Sequence, residues 1–201
     1  LREEFAISLT ELGFIAAIPP LCQAFLAIPT GLLSDRIGAK RMLVASFIVA
    51  TIGAILASQT INLLSFTIAI SLVYVNTTIY HPASYSYTTN LFRSADRSKA
   101  LGIHGAGGTL GHGLGPLTVS LVIGVLGFAW RNVYLLLTGP MLVALVMVLT
   151  LRETEKTIDD TPRPSIHQGA STDQFLTSNL VMFLVFSGLR MMAGSMISTF
   201  L

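Results

Sequence analysis

Six stretches of this chain, about residues 11–33, 41–60, 62–91, 100–129, 132–151 and 176–201, are long and mostly apolar. A helix needs about 20 such residues to cross the hydrocarbon of a bilayer. None of the stretches alternates apolar and polar residues as a half-buried strand would. The expected fold class is therefore all-α, an integral membrane protein with six spanning helices. The longest stretches must tilt or run past the hydrocarbon. Prolines fall inside the spans at Pro19, Pro20, Pro29, Pro82, Pro116 and Pro140. They argue against long soluble helices. A membrane bundle accepts them because neighbouring helices and water can satisfy the freed carbonyls.

Only 11% of the residues are charged and 52% are hydrophobic. A soluble domain carries about 25% charged residues, so most of this surface must face lipid. The net charge of +2 is too small and scattered for a nucleic-acid surface, and no nucleic-acid partner is expected. Cys22 is the single cysteine and cannot form an internal disulfide; it reads as an inert thiol in an apolar run. The opening Leu1-Arg2-Glu3-Glu4-Phe5 is neither an initiator methionine nor the basic start of a signal peptide. The last residue, Leu201, lies inside an apolar stretch. The expectation is the middle of a longer protein.

The connections divide by charge. Arg36, Lys40, Arg41, Arg93, Arg97, Lys99, Arg152, Lys156 and Arg163 fall on one side, and Arg2 and Arg131 on the other. Positive loops stay in the cytoplasm, so the chain starts outside and the loops near 36–41, 93–99 and 152–175 are cytoplasmic. Residues 152–175 are charged, carry Pro162, Pro164 and Gly169, and show no apolar period. They read as a linker between two bundles. The expected division is 1–151 as a bundle, 152–175 as a cytoplasmic linker and 176–201 as the first helix of a second bundle.

The most specific motif is Gly31-Leu32-Leu33-Ser34-Asp35-Arg36-Ile37-Gly38-Ala39-Lys40-Arg41. Its glycines are expected to bracket a tight cytoplasmic turn. A positive-inside loop explains the cations, but not Asp35 beside Arg36 between two glycines. The stretch resembles the loop motif between helices two and three of the major facilitator superfamily. That resemblance implies a cytoplasmic gating motif of Gly31, Asp35, Arg36, Gly38, Lys40 and Arg41, which latches two halves of a transporter together. It also makes the first span the family's helix two and the last its helix seven, with helix one lost upstream and 152–175 the central loop. Leu151-Arg152-Glu153-Thr154-Glu155 resembles the acidic sequence after helix six, and Arg97-Ser98-Lys99-Ala100-Leu101-Gly102 the entry into helix five.

Gly107, Gly111 and Gly115 recur every fourth residue and so share a helix face. Bare faces of this kind let helices approach closely in membranes, and helix packing is their main reading. Gly111 to Pro116 also resembles the glycine-proline motif of helix five in exporters. Tyr80-His81-Pro82-Ala83-Ser84, Leu101 to Gly108, Gly188-Leu189-Arg190 and Ser198 to Leu201 resemble the fosmidomycin-resistance branch. One departure stands out. Drug-proton antiporters often carry an arginine early in helix four, and here the third span has no cation before Arg93.

In the third span Tyr74, Thr77, Thr78, His81, Tyr85 and Thr88 form one polar stripe at helical spacing. Such a stripe faces a wet cavity or bonds to neighbouring helices. Counted at about 1.5 Å per residue from the cytoplasmic ends, His81, His112 and Arg190 lie roughly 16, 20 and 21 Å deep. These depths are near the middle of a hydrocarbon about 30 Å thick, where transporter sites are found. His104, about 8 Å deep, is expected near the cytoplasmic mouth. Arginine suits a carboxylate, phosphate or phosphonate, and histidine exchanges protons near neutral pH. Arg190 can instead pair with a carboxylate outside this chain, and His112 can serve helix packing.

The substrate and proton pathway is thus read as Tyr74, Thr77, His81, Tyr85, His112 and Arg190, with no cofactor, no metal and no catalytic residue. The expected function is secondary active transport of a small solute across the cell (plasma or inner) membrane by alternating access. Proton-coupled efflux of an anionic or drug-like compound is preferred. Uptake of an organic anion, a non-transporting sensor and a half-size subunit are the alternatives. An intramembrane enzyme built on His81, His104 and His112 is disfavoured, because no acid accompanies them within a span and no ligand pair sits at i, i+4. No nucleotide-binding loop is present.

Overall fold

Two of the spanning helices begin at side chains that cap them. The computed structural model describes residues 2–152, 181–182 and 185–191. A short α1 (Arg2–Phe5) precedes α2 (Leu9–Ile37), α3 (Ala39–Ser58), α4 (Leu63–Leu91), α5 (Arg97–Val119) and α6 (Trp130–Thr150). A π-helical stretch, Ser120–Val125, prolongs α5. Five helices among the described residues, α2 to α6 with the π stretch, are long and apolar enough to cross a membrane. The expected sixth span, 176–201, lies largely outside the described residues; its described part, 181–182 and 185–191, is helical. The linker beyond Arg152 also lies outside them.

Two capping boxes start helices. Ser8 accepts from the Glu11 amide at 3.3 Å while Glu11 accepts from the Ser8 amide at 2.8 Å. Asn62 and Ser65 do the same for α4. Each box satisfies donors that a helix N-terminus would otherwise leave unpaired.

The turn after α2 departs from expectation. Gly31 lies inside α2 and does not bracket a turn, because Ser34, Asp35 and Arg36 are helical. Gly38 alone makes the connection, with φ 92° and ψ 151°, and its amide donates to the Ser34 carbonyl at 3.1 Å. That region of backbone space is essentially glycine's, and another residue would add about 1–3 kcal/mol of strain. The polar run resembled a loop in sequence because it leaves the hydrocarbon; its backbone has no reason to stop being helical there.

The helices pack around α4. On α3, Leu43, Phe47, Ala50, Ala54 and Ala57 are buried against Phe66, Ile70, Val73 and Tyr80 of α4 and Val133, Leu137, Met141 and Ala144 of α6. Gly53 permits this approach: a Cβ there would sit 2.8 Å from Val73 Cγ2 and 3.0 Å from the Ala69 carbonyl. Lipid is as apolar as these side chains, so close contact and hydrogen bonds hold the bundle, rather than escape from water. By contrast α2 leans on α4 and buries only Ile15, Pro19, Thr30 and Ser34. Pro82 cannot donate to the Thr78 carbonyl four residues back; the Thr30 hydroxyl of α2 reaches that oxygen at 3.4 Å.

Both ends of the bundle are tied. At one end Trp130 donates to Glu4 at 2.6 Å, Arg131 pairs with Glu4, and Arg131 also donates to the Thr60 carbonyl at 2.7 Å. At the other, the Tyr87 hydroxyl donates to the Arg152 carbonyl at 2.9 Å and Arg97 to that of Thr89 at 2.8 Å. Cations cluster at this second end, which the positive-inside rule assigns to the cytoplasm.

Candidate functional site

Tyr74, Thr77, His81, His112 and Arg190 line one cavity of about 240 Å³. α4 supplies the first three, α5 supplies His112 at the exposed rim, and the helical stretch 185–191 supplies Arg190. Gln23 of α2, Val73 and Asn76 of α4, Met141 of α6 and Met191 complete the lining. A more open groove of about 560 Å³ adjoins it between α2 and α4. Gln23, Thr77 and His81 line both spaces, and Gly31 and Pro82 line the groove alone.

The Gln23 amide fixes one wall. It donates to the Tyr74 carbonyl at 2.8 Å and to the Thr77 hydroxyl, which itself donates to the Tyr74 carbonyl at 2.7 Å. A lone amide in the apolar run of α2 was the signal that sequence reasoning passed over.

Arg190 is 2% exposed. Its guanidinium lies over the Tyr80 ring, 4.0 Å from the centroid. One of its terminal nitrogens contacts the Met191 sulfur at 3.2 Å, and its Nε has no hydrogen-bond partner. The described acidic residues, Glu3, Glu4, Glu11, Asp35 and Asp96, all sit at helix ends. None belongs to the stretch of α4 and α5 that faces Arg190.

Around Tyr80 the rings close up. Phe47, His81, His104 and Phe186 have centroids 5.7 to 6.1 Å from it. Tyr85 lies outside the cavity wall, half exposed, with its ring 5.9 Å from His81 and 6.0 Å from His104. His104 is buried in this cluster, its carbonyl accepting from Ser187 at 3.3 Å. The rings of α4 reach across to α5 here. Thr88 also leaves the stripe: it is buried and donates to the Ser84 carbonyl.

Gly107, Gly111 and Gly115 are buried along α5, with Pro116 inside the same helix. A Cβ at Gly188 would sit 3.3 Å from the Gly107 carbonyl, and one at Gly108 would sit 3.3 Å from Met191. This bare face thus brings the segment bearing Arg190 up to α5. Asp35, Arg36, Gly38 and Arg41 are exposed at the cation-rich end, and Lys40 is partly so. No group of three or more metal-ligating side chains occurs among the described residues.

The chain matches the Major Facilitator Superfamily over residues 1–201. It is 23% identical over 133 residues to the riboflavin transporter RibZ of Clostridioides difficile (strain 630), covering 66% of this chain and 29% of that protein. It is 22% identical over 135 residues to the "Probable L-galactonate transporter" of Escherichia coli (strain K12), covering 67% of this chain and 29% of that protein. The chain therefore spans under a third of the length of either relative. No solved structure matches it. With its helical bundle and its match to the family over the whole length, this chain belongs to the Major Facilitator Superfamily, as a multi-pass membrane protein and not an enzyme.

Proposed function

We propose that the protein containing this chain is a secondary active transporter that moves a small anionic solute by alternating access, through proton-coupled efflux. Arg190 carries the reading. A buried arginine in a membrane costs at least about 2.5 kcal/mol on insertion scales, and this one lines a cavity with no described carboxylate beside it. A carboxylate, phosphate or phosphonate of the solute supplies the missing counter-charge. Arginine's planar fork matches such groups with two parallel bonds. His81, which lines the cavity and the adjoining groove, is the group that exchanges a proton.

The names of the two relatives, a riboflavin and an L-galactonate transporter, support a small organic solute. The glycine-proline pattern of Gly111 to Pro116 supports export, and the Tyr80 to Ser84 and Leu101 to Gly108 motifs support the fosmidomycin-resistance branch. In this reading residues 1–151 are one bundle, 152–175 the cytoplasmic linker and 176–201 the entry to a second bundle. The Asp35 motif latches the two on the cytoplasmic side of the plasma or inner membrane.

The test is Arg190→Lys in the full-length protein. Anion binding should weaken about tenfold while the protein stays folded, because the charge remains and the two-donor fork is lost. Unchanged anion affinity in a stable Arg190→Ala protein would remove Arg190 from the solute site.

A further inference from the structure

The cavity that holds Arg190 has a second chemical demand. Asn76 lines it, is 2% exposed, and has an amide oxygen without a hydrogen-bond partner. Buried polar atoms in native proteins nearly always find partners. Leaving one unpaired costs about as much as a lost hydrogen bond. Across the same cavity the Gln23 amide nitrogen is committed to Tyr74 and Thr77, so the group it can still offer is its carbonyl oxygen. The Thr77 hydroxyl donates to Tyr74 and accepts from Gln23. It is engaged, although it belongs to the polar stripe. Two side chains with an uncommitted amide oxygen therefore line a space whose cation is Arg190, and Val73, Met141 and Met191 are its apolar lining.

We infer that the solute is a small hydroxylated or N–H-bearing organic anion, held by its anionic group at Arg190 and by donor groups at Asn76 and Gln23. This inference rests on the anion-transport reading above and adds the specificity-determining pair. An apolar anion would leave both acceptors buried and unpaired. An inorganic anion would leave them empty. The cavity, about 240 Å³, shares Gln23, Thr77 and His81 with the adjoining groove of about 560 Å³, so the same amide borders both spaces.

The experiment uses two six-carbon carboxylates, gluconate with hydroxyls and hexanoate without, binding to the purified full-length protein. Wild type should prefer gluconate by about tenfold or more, since a site built to bond hydroxyls rejects the analogue lacking them. Asn76→Leu should weaken gluconate by roughly tenfold and leave hexanoate within about twofold, and Gln23→Leu, which also frees Tyr74 and Thr77, should weaken gluconate several-fold more than hexanoate. Retained hexanoate binding also reports that the variant is folded. Equal wild-type affinity for both acids would overturn the inference while leaving the anion reading standing, provided Arg190→Lys weakens both. Parallel loss of both acids in both leucine variants would overturn it too. Binding of neither acid by wild type would overturn the inference and count against the anion reading together.

Discussion

The guanidinium of Arg190 lies flat over Tyr80, 4.0 Å from the centre of a ring that is itself fully buried. The ring's negative face offsets part of the cost of the charge, by up to about 2 kcal/mol where water is excluded. Tyr80→Phe keeps that face and should leave thermal stability in detergent unchanged to within a degree or two. Tyr80→Leu removes it and should lower both stability and anion affinity. Equal behaviour of the two variants would show that the ring acts only as packing.

At the opposite end from the cations, Glu4 is gripped by Trp130 and Arg131. The Trp130 hydrogen bond, followed by that from Arg131, holds its carboxyl below the usual carboxylate range. A depressed folded pKa means that the contribution is present at neutral pH and fades as acid protonates the folded carboxylate. Glu4→Gln should therefore lower thermal stability slightly at pH 7 and flatten its pH dependence below about pH 5. A variant that melts in parallel with wild type from pH 7 to pH 3 would show that the tie contributes nothing. The pair is partly exposed, so the effect should be small and should shrink further in high salt.

Asp35 is exposed on the last turn of α2. Asp35→Asn removes its charge with almost no change in size, so packing should survive. Transport by the full-length protein should fall several-fold while its amount in the membrane stays within about twofold of wild type, a range in which surface changes usually act. Wild-type transport kinetics would remove Asp35 from the latch.

Orientation can be tested by labelling single cysteines with an impermeant reagent in a background free of other reactive thiols. Ser94, exposed between α4 and α5, should label only from the cytoplasm. Ile61, 86% exposed between α3 and α4, should label only from outside. It is a better reporter than its neighbour Asn62, whose side chain caps α4. Labelling of both from one side would overturn the orientation drawn from the charges.

Five spanning helices were legible because length and apolarity act over about twenty residues at a time. The end of α2 was not, since Ser34, Asp35 and Arg36 leave the bilayer before the backbone changes state. Nor was the other half of the cavity. The stripe from Tyr74 to Thr88 follows one face of α4, but a helix at the centre of a bundle has neighbours on several sides. Asn76 and Tyr80 lie off that stripe and are more buried than Tyr74 or His81. Gln23 gave no periodic signal at all. Its place shows only in the fold, where its amide meets the Tyr74 carbonyl and the Thr77 hydroxyl of α4.

A single residue, Gly38, joins a helix of 29 residues to one of 20. A connection that short has no slack. If α2 tilts, its lower end can swing only as far as two backbone torsions allow, and α3 is clamped to α4 and α6 along its whole length. In such a tilt the joint would act as a pivot fixed to the body of the bundle, with α2 as the arm. Asp35 and Arg36 sit beside the pivot, whereas Gln23 lies some twenty ångströms along the arm at about 1.5 Å per residue and would move furthest once its bonds to Tyr74 and Thr77 let go. Small rotations at the charged motif would thus be magnified at the cavity wall.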